Sequence, residues 1–260
     1  MTPTEVTLRD TAWLKRYGSG APPAARLFCF HHAGGSAGMY RGWSQLLPPS
    51  IEPVAVQLPG RAERLRERPF SAMEPLVEAL AEVVTPLLDL PYACFGSSMG
   101  AKVSWALTHR LRDQGRPLPL SLYLSGAAAP DLPEGRVDWD VPDEVLIEYL
   151  RGMGGTTPEV FAYPQLLASL LPTLRADLTL VDSFCFRPAT PIAVPIRAFA
   201  GTDDVEGGPE RMRGWGRQTT ARFTLEAVPG GHFFDADGER RMTRVIAEDI
   251  ALALGRTGEI

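Results

Sequence analysis

The chain offers little to a metal ion and little to a disulfide. Its three cysteines, Cys29, Cys94 and Cys185, stand far apart inside apolar runs and form no C-x-x-C pair. Neither a disulfide framework nor a zinc knuckle is indicated, and buried free thiols in a reducing compartment are expected. No apolar run approaches the ~18 residues of a membrane span. The N-terminal MTPTEVTLRD lacks both the basic region and the apolar run of a secretory signal, so a cytoplasmic protein without membrane contact is expected. Positive charge is also short: 26 Lys and Arg stand against 31 Asp and Glu, a formal net charge of -5. That balance argues against nucleic-acid binding, which needs a clustered positive face. Lys15 and Lys102 are the only lysines, a bias that reads as GC-rich coding rather than function. Repeats, low-complexity tracts and linkers are missing too, so residues 1–260 are expected to form one domain.

What is present is an alternation of strand and helix. Continuous apolar runs predict strands at Leu27–His31, Val54–Leu58, Ala93–Phe95, Leu120–Ser125, Ile196–Ala200 and Arg222–Val228, several of them of the kind buried on both faces. Three-to-four spacing of apolar residues predicts helices at about Ala72–Leu88, Met99–Arg112, Pro209–Arg217 and Arg240–Leu254. The expected class is α/β, with a mostly parallel central sheet flanked by helices. From about 131 to 186 no strand pattern appears, while DEVLIEYLRGMGG and YPQLLASLLPTLRADLTLVDSF both read as amphipathic helices. This segment is expected to be a helical lid, lying where open parallel sheets bind ligands.

The stretch Gly96-Ser97-Ser98-Met99-Gly100 is a G-x-S-x-G set between a predicted strand and a predicted helix. Such a turn exposes the serine hydroxyl and aims the next residue's N–H at the same point, and its glycines let strand and helix pass closely. Ser98 is the candidate nucleophile and Met99 a candidate oxyanion donor. A serine hydroxyl needs a base, itself oriented by a third group. Of four histidines, His232 in VPGGHFFD follows a predicted strand on a glycine-bearing loop, whereas His109 lies on a polar helix and reads as solvated. Asp203 and Asp204, after the strand ending near Ala200, both fit the orienting acid. Serine, then aspartate, then histidine is the chain order of α/β-hydrolases. The second oxyanion donor is expected in FHHAGGSAG, where the Ala33 N–H is the best candidate. A phosphate loop is excluded there because no G-K-[ST] follows. A metal site is not expected, since two adjacent histidines point apart and no acid or thiol lies nearby.

With these residues in place, the chain resembles the type II thioesterases of polyketide and nonribosomal peptide pathways, which are stand-alone enzymes of the α/β-hydrolase fold. The resemblance runs through WLKRYG, LFCFHHAGGSAGMYRGWSQLLP, VAVQLPGRAERLRERPF, FGSSMGAKVSWAL, LLPTLRADLTLVDSF, FAGTDDVEGG and GGHFF. Family members usually carry proline where this chain has His31, and often proline where it has Val205. The family pattern G-x-x-D, applied from Gly201, selects Asp204. The resemblance implies hydrolysis of acyl groups held as thioesters on the phosphopantetheine arm of acyl or peptidyl carrier-protein domains, clearing stalled or mis-primed units. It implies no cofactor beyond the arm that the carrier brings, and a lid that forms an acyl chamber reached by an arm of ~20 Å.

Arg61, Arg64, Arg66 and Arg68 crowd into GRAERLRER after a predicted strand end. Arg61 and Arg64 are candidates for contact with the arm's phosphate or an acidic carrier surface. The alternative is a solvated face pairing with Glu63 and Glu67. Other readings of the whole chain remain: an esterase or acyltransferase with the same triad, or a non-catalytic carrier-binding subunit.

Overall fold

The computed structural model describes residues 11–132, 138–156, 158–184 and 190–257. Cys185 and, within the expected lid, residues 133–137, 157 and 185–186 lie outside the described residues. Among the described residues seven strands form one sheet: β1 (Leu14–Arg16), β2 (Ala25–Phe30), β3 (Ile51–Val56), β4 (Tyr92–Ser97), β5 (Leu122–Ser125), β6 (Ile196–Gly201) and β7 (Phe223–Val228). The α-helices among the described residues are α1 (Trp43–Leu46), α2 (Met73–Val84), α3 (Met99–Asp113), α4 (Asp143–Met153), α5 (Pro158–Ala162), α6 (Pro164–Ser183), α7 (Pro209–Met212) and, after β7, α8 (Ala236–Thr257). The strand order is β1-β3-β2-β4-β5-β6-β7. Of these seven strands β1 alone runs antiparallel to its neighbour, with Leu14 opposite Val56.

Alternate residues of the central strands feed two cores. Phe28 and Phe30, Val54 and Val56, Cys94, Leu122, Leu124, Ala198 and Ala200 pack with α2 and α3 on one face. Leu27, Cys29, Ala55, Ala93, Phe95, Tyr123 and Phe199 pack on the other with Tyr40, Trp43 and the α8 residues Met242, Ile246 and Ile250. Burial on both faces is why these strands read as continuous apolar runs. Cys29 and Cys94 are buried free thiols, and burial pushes both above the usual thiol range.

The chain leaves β2 for β3 on one side and returns to β4 on the other. The order therefore reverses between β2 and β4, opening a crevice at their carboxyl ends. α4, α5 and α6 cover it, joined by a third apolar cluster of Trp139, Leu146, Leu167, Leu171, Leu174 and Leu178. Pro172 lies inside α6. Among the described residues no helix is long and apolar enough to cross a membrane.

Candidate active site

Ser98 stands at the junction of β4 and α3 with φ 52° and ψ -115°, outside the regions comfortable for an L-residue. The strain follows from the packing. A Cβ on Gly96 would lie 2.2 Å from the Gly100 carbonyl oxygen, and a Cβ on Gly100 would lie 2.1 Å from that of Phe30. Only glycine at both places lets α3 start against the end of β2, which brings the amide of Met99 beside the loop holding Ala33. The Ser98 N–H is tied to the Ser125 carbonyl at 2.7 Å, so the turn cannot relax outward.

His232 Nδ1 donates to Asp204 Oδ2 at 2.9 Å, with both side chains almost out of solvent. Since a carboxylate only accepts, the neutral ring carries its proton on Nδ1 and presents the Nε2 lone pair. Nε2 is buried and makes no hydrogen bond. Asp204 Oδ1 accepts the Glu206 N–H at 2.9 Å. Burial alone would raise the Asp204 carboxyl, but the bonds from His232 and from the Gly207 and Glu206 amides outweigh it and hold it below the usual carboxylate range. Asp203 is exposed and faces away, its side chain beside the Thr202 hydroxyl at 3.4 Å. Of the two candidate acids the structure brings only Asp204 to His232. The loops carrying them interlock through glycine: a Cβ on Gly201 would meet the Gly231 carbonyl at 2.1 Å.

Ser98, Met99, His232, Ala33 and Gly34 line one cavity of about 720 Å³. Its far walls come from the lid, through Trp139, Tyr149, Leu170, Leu174 and Leu178. Phe233, next to His232, stacks edge-on against both His232 and His32, with ring centroids 4.9 and 4.7 Å apart. It sits against Gly155, where a Cβ would fall 2.2 Å from the ring. Phe233 and Lys102, which also line the cavity, carried no separate signal in the sequence.

The loop after β2 has a division of labour. His31 Nδ1 donates to the His32 carbonyl at 2.8 Å, and His32 Nδ1 to the Ala33 carbonyl at 2.9 Å. Burial pushes both rings below the usual imidazole range, His31 strongly, with the Arg61 charge adding to the effect. The Gly34 N–H donates to Asp177 Oδ2 at 2.8 Å and the Gly35 N–H to the His32 carbonyl at 3.0 Å, so both amides are committed.

The expectation for Arg61 and Arg64 is corrected. Arg61 is only 3% exposed, and its guanidinium grips both oxygens of Asp177 at 2.7 and 2.8 Å. Arg64 is 5% exposed, lies over the Trp13 ring at 4.1 Å, and bonds Glu67 and the Gln57 carbonyl. Both charges are consumed inside the protein and are out of reach of a carrier surface. Arg66 and Arg68 are exposed, and Glu63 pairs with Lys15 at 2.5 Å rather than with an arginine. His109 is likewise not solvated: it packs on Trp105 at 4.3 Å between centroids, and burial pushes it down to about 4.

Known proteins give the same arrangement a family. The thioesterase-domain family model matches residues 25–251. The gramicidin S biosynthesis protein GrsT of Aneurinibacillus migulanus is 34% identical over 243 residues, covering 93% of this chain and 95% of its own. Among solved structures, the RedJ thioesterase of the prodiginine pathway of Streptomyces coelicolor superposes with a TM-score of 0.84 at 36% identity, over 88% of this chain and 93% of its own. The type II thioesterase BorB of the borrelidin cluster does so with a TM-score of 0.85 at 33% identity, over 93% and 98%. With a switch-point crevice, Ser98 on a glycine-flanked turn, and the α/β-hydrolase sheet shared with these structures, the chain belongs to the thioesterase family, among the type II thioesterases of polyketide and nonribosomal peptide biosynthesis.

Proposed function

We propose that this protein is a serine thioesterase that hydrolyses acyl groups from the phosphopantetheine arm of carrier-protein domains, through Ser98, His232 and Asp204. The observation that carries the reading is the Asp204–His232 hydrogen bond, which leaves the Nε2 lone pair unengaged on a histidine that lines the same cavity as Ser98. In the first half-reaction Nε2 takes the Ser98 proton as Oγ attacks the thioester carbonyl. The resulting oxyanion accepts from the Ala33 and Met99 amides. Collapse breaks the C–S bond, and the imidazolium returns the proton to the departing thiolate. In the second, Nε2 deprotonates water, which attacks the acyl-serine; the acid leaves and Ser98 regains its proton. These steps use only the side chains named and water, with no cofactor or metal of the protein's own. Asp204, kept ionised by its amide and imidazole donors, stabilises the imidazolium formed at each stage.

The lid-walled chamber of about 720 Å³ supports a substrate with a sizeable acyl group. Carrier domains as partners are supported by the relatives, which are named for gramicidin S biosynthesis and for the borrelidin biosynthetic cluster. The test is kcat/KM on acyl-carrier protein against the same acyl group as a free ester, with Ser98→Ala as control. Preference for the carrier by tenfold or more is expected. Equal turnover of both would favour a free-ester hydrolase instead.

A further inference from the structure

Thr173 and Asp177 are four residues apart on α6 and so share a face. Both reach the loop after β3: the Thr173 hydroxyl donates to the Gly60 carbonyl, and Asp177 receives the Arg61 guanidinium. A helix anchor would need no more than this. Yet Asp177 Oδ2 also accepts the Gly34 N–H at 2.8 Å, and Arg61 Nη1 also donates to the Gly35 carbonyl at 3.2 Å. The opposite end of that Gly34 peptide unit, the Ala33 carbonyl, is held by His32 Nδ1. The peptide plane after Ala33 is thus pinned at both ends; the Ala33 N–H lies in the plane before it, whose His32 carbonyl accepts from His31 Nδ1 and the Gly35 N–H, so the two held planes meet at Ala33 and together fix its amide.

We propose that Asp177, charge-compensated by Arg61, is a positioning residue that aims the Ala33 amide at the oxyanion; this rests on the thioesterase reading above. Asp177 is not among the residues that line the chamber, so its route to the reaction runs through the amide it holds. A lone carboxylate so close would oppose the negative charge that develops there, and Arg61 cancels it. The device ties the lid to the chemistry through a carboxylate that is 1% exposed.

The test compares three full-length proteins: wild type, Arg61→Met/Asp177→Leu, which removes the charges together and the Gly34 acceptor with them, and Arg61→Met/Asp177→Asn, which restores an amide oxygen there. The substrate is hexanoyl N-acetylcysteamine thioester, and the transition-state probe is phenylboronic acid, whose tetrahedral serine adduct mimics the oxyanion. In the Leu variant kcat is expected to fall about 100-fold with KM within twofold, since a misaimed donor acts on the transition state alone. Boronate affinity is expected to fall in step, and the Asn variant to recover at least tenfold in kcat. Wild-type kcat in the Leu variant, or equal rates in the two variants, overturns the proposal. Native amide exchange supplies a readout independent of both variant folding and activity. The Gly34 N–H is expected to exchange at least tenfold slower than the Gly42 N–H in the exposed turn before α1, and equal exchange overturns the proposal. If wild type neither hydrolyses the thioester nor takes a fluorophosphonate label, the thioesterase reading fails instead, while the exchange result still decides the Asp177–Gly34 bond.

Discussion

Arg61 and Asp177 lie 116 residues apart in the chain and meet as a two-point ion pair, at 2.7 and 2.8 Å, with both side chains removed from solvent. Their charges were desolvated on folding, a cost that only the pair's geometry and its further bonds to Gly34 and Gly35 offset.

Breaking the pair on one side is therefore expected to be worse than removing it whole. Asp177→Ala leaves a buried guanidinium unpaired and should lose about 3–5 kcal/mol of unfolding free energy. Arg61→Met/Asp177→Leu should recover most of that loss. Urea denaturation of both checks it, and a double variant as unstable as the single one would contradict the account.

The two adjacent acids should separate sharply. Asp204→Asn leaves His232 without the acceptor that fixes its tautomer and should lower kcat by about 10⁴. Asp203→Asn, on an exposed side chain that does not meet the base, should stay within twofold of wild type. Steady-state kinetics on one acyl thioester decides this, and a crippled Asp203→Asn would reverse the assignment.

Ser98 holds a positive φ that its Cβ resists. Ser98→Gly should be more stable than Ser98→Ala by about 1 kcal/mol, because glycine relieves the strain while alanine keeps it. Neither variant should hydrolyse thioesters. Equal thermal midpoints would mean that the turn is not strained.

Stability should also fall on mild acidification. Burial, then the Arg61 charge, holds His31 neutral in the folded protein, so its folded pKa lies below the unfolded value near 6.5. Below that unfolded value the unfolded chain binds a proton that the native protein refuses. The stability is complete above about pH 6.5 and drains as pH falls toward the folded pKa, on the order of 1 kcal/mol per pH unit. His31→Asn keeps a donor for the His32 carbonyl and cannot titrate, so its stability between pH 5 and 6.5 should decline less steeply. Parallel slopes would sink the explanation, since His32 and His109 contribute equally to both proteins.

The sheet was readable because its strands are buried on both faces and so spell continuous apolar runs. β1 was not, because in Leu14-Lys15-Arg16 only the leucine is buried and the segment is held by pairing with Val54–Val56, some forty residues on. Glycine spacing and chain order pointed to Ser98 and His232, but side-chain direction separates Asp203 from Asp204, and that depends on how Gly201 lets its loop close on Gly231. Arg61 and Arg64 misled for a related reason. Alternating charge in GRAERLRER reads as a wet face, and nothing local reveals that Asp177 and Trp13 draw two of the arginines inward. A clue to Asp177 did exist. In α6 the buried leucines 167, 171, 174 and 178 form an inward stripe, and an acid beside it is costly without a partner.

The way α6 is seated also bears on how such a protein can diversify. Its leucines shape the chamber while the machinery rides on the sheet, so a descendant lineage can resize the chamber at positions 170, 174 or 178 and inherit the chemistry intact. Position 177 is held apart from that freedom, because it lies on the same helix but off the chamber wall. Drift there slows the reaction without resizing the chamber, so a single turn of the lid carries neighbouring positions of which some tune selectivity and one guards rate.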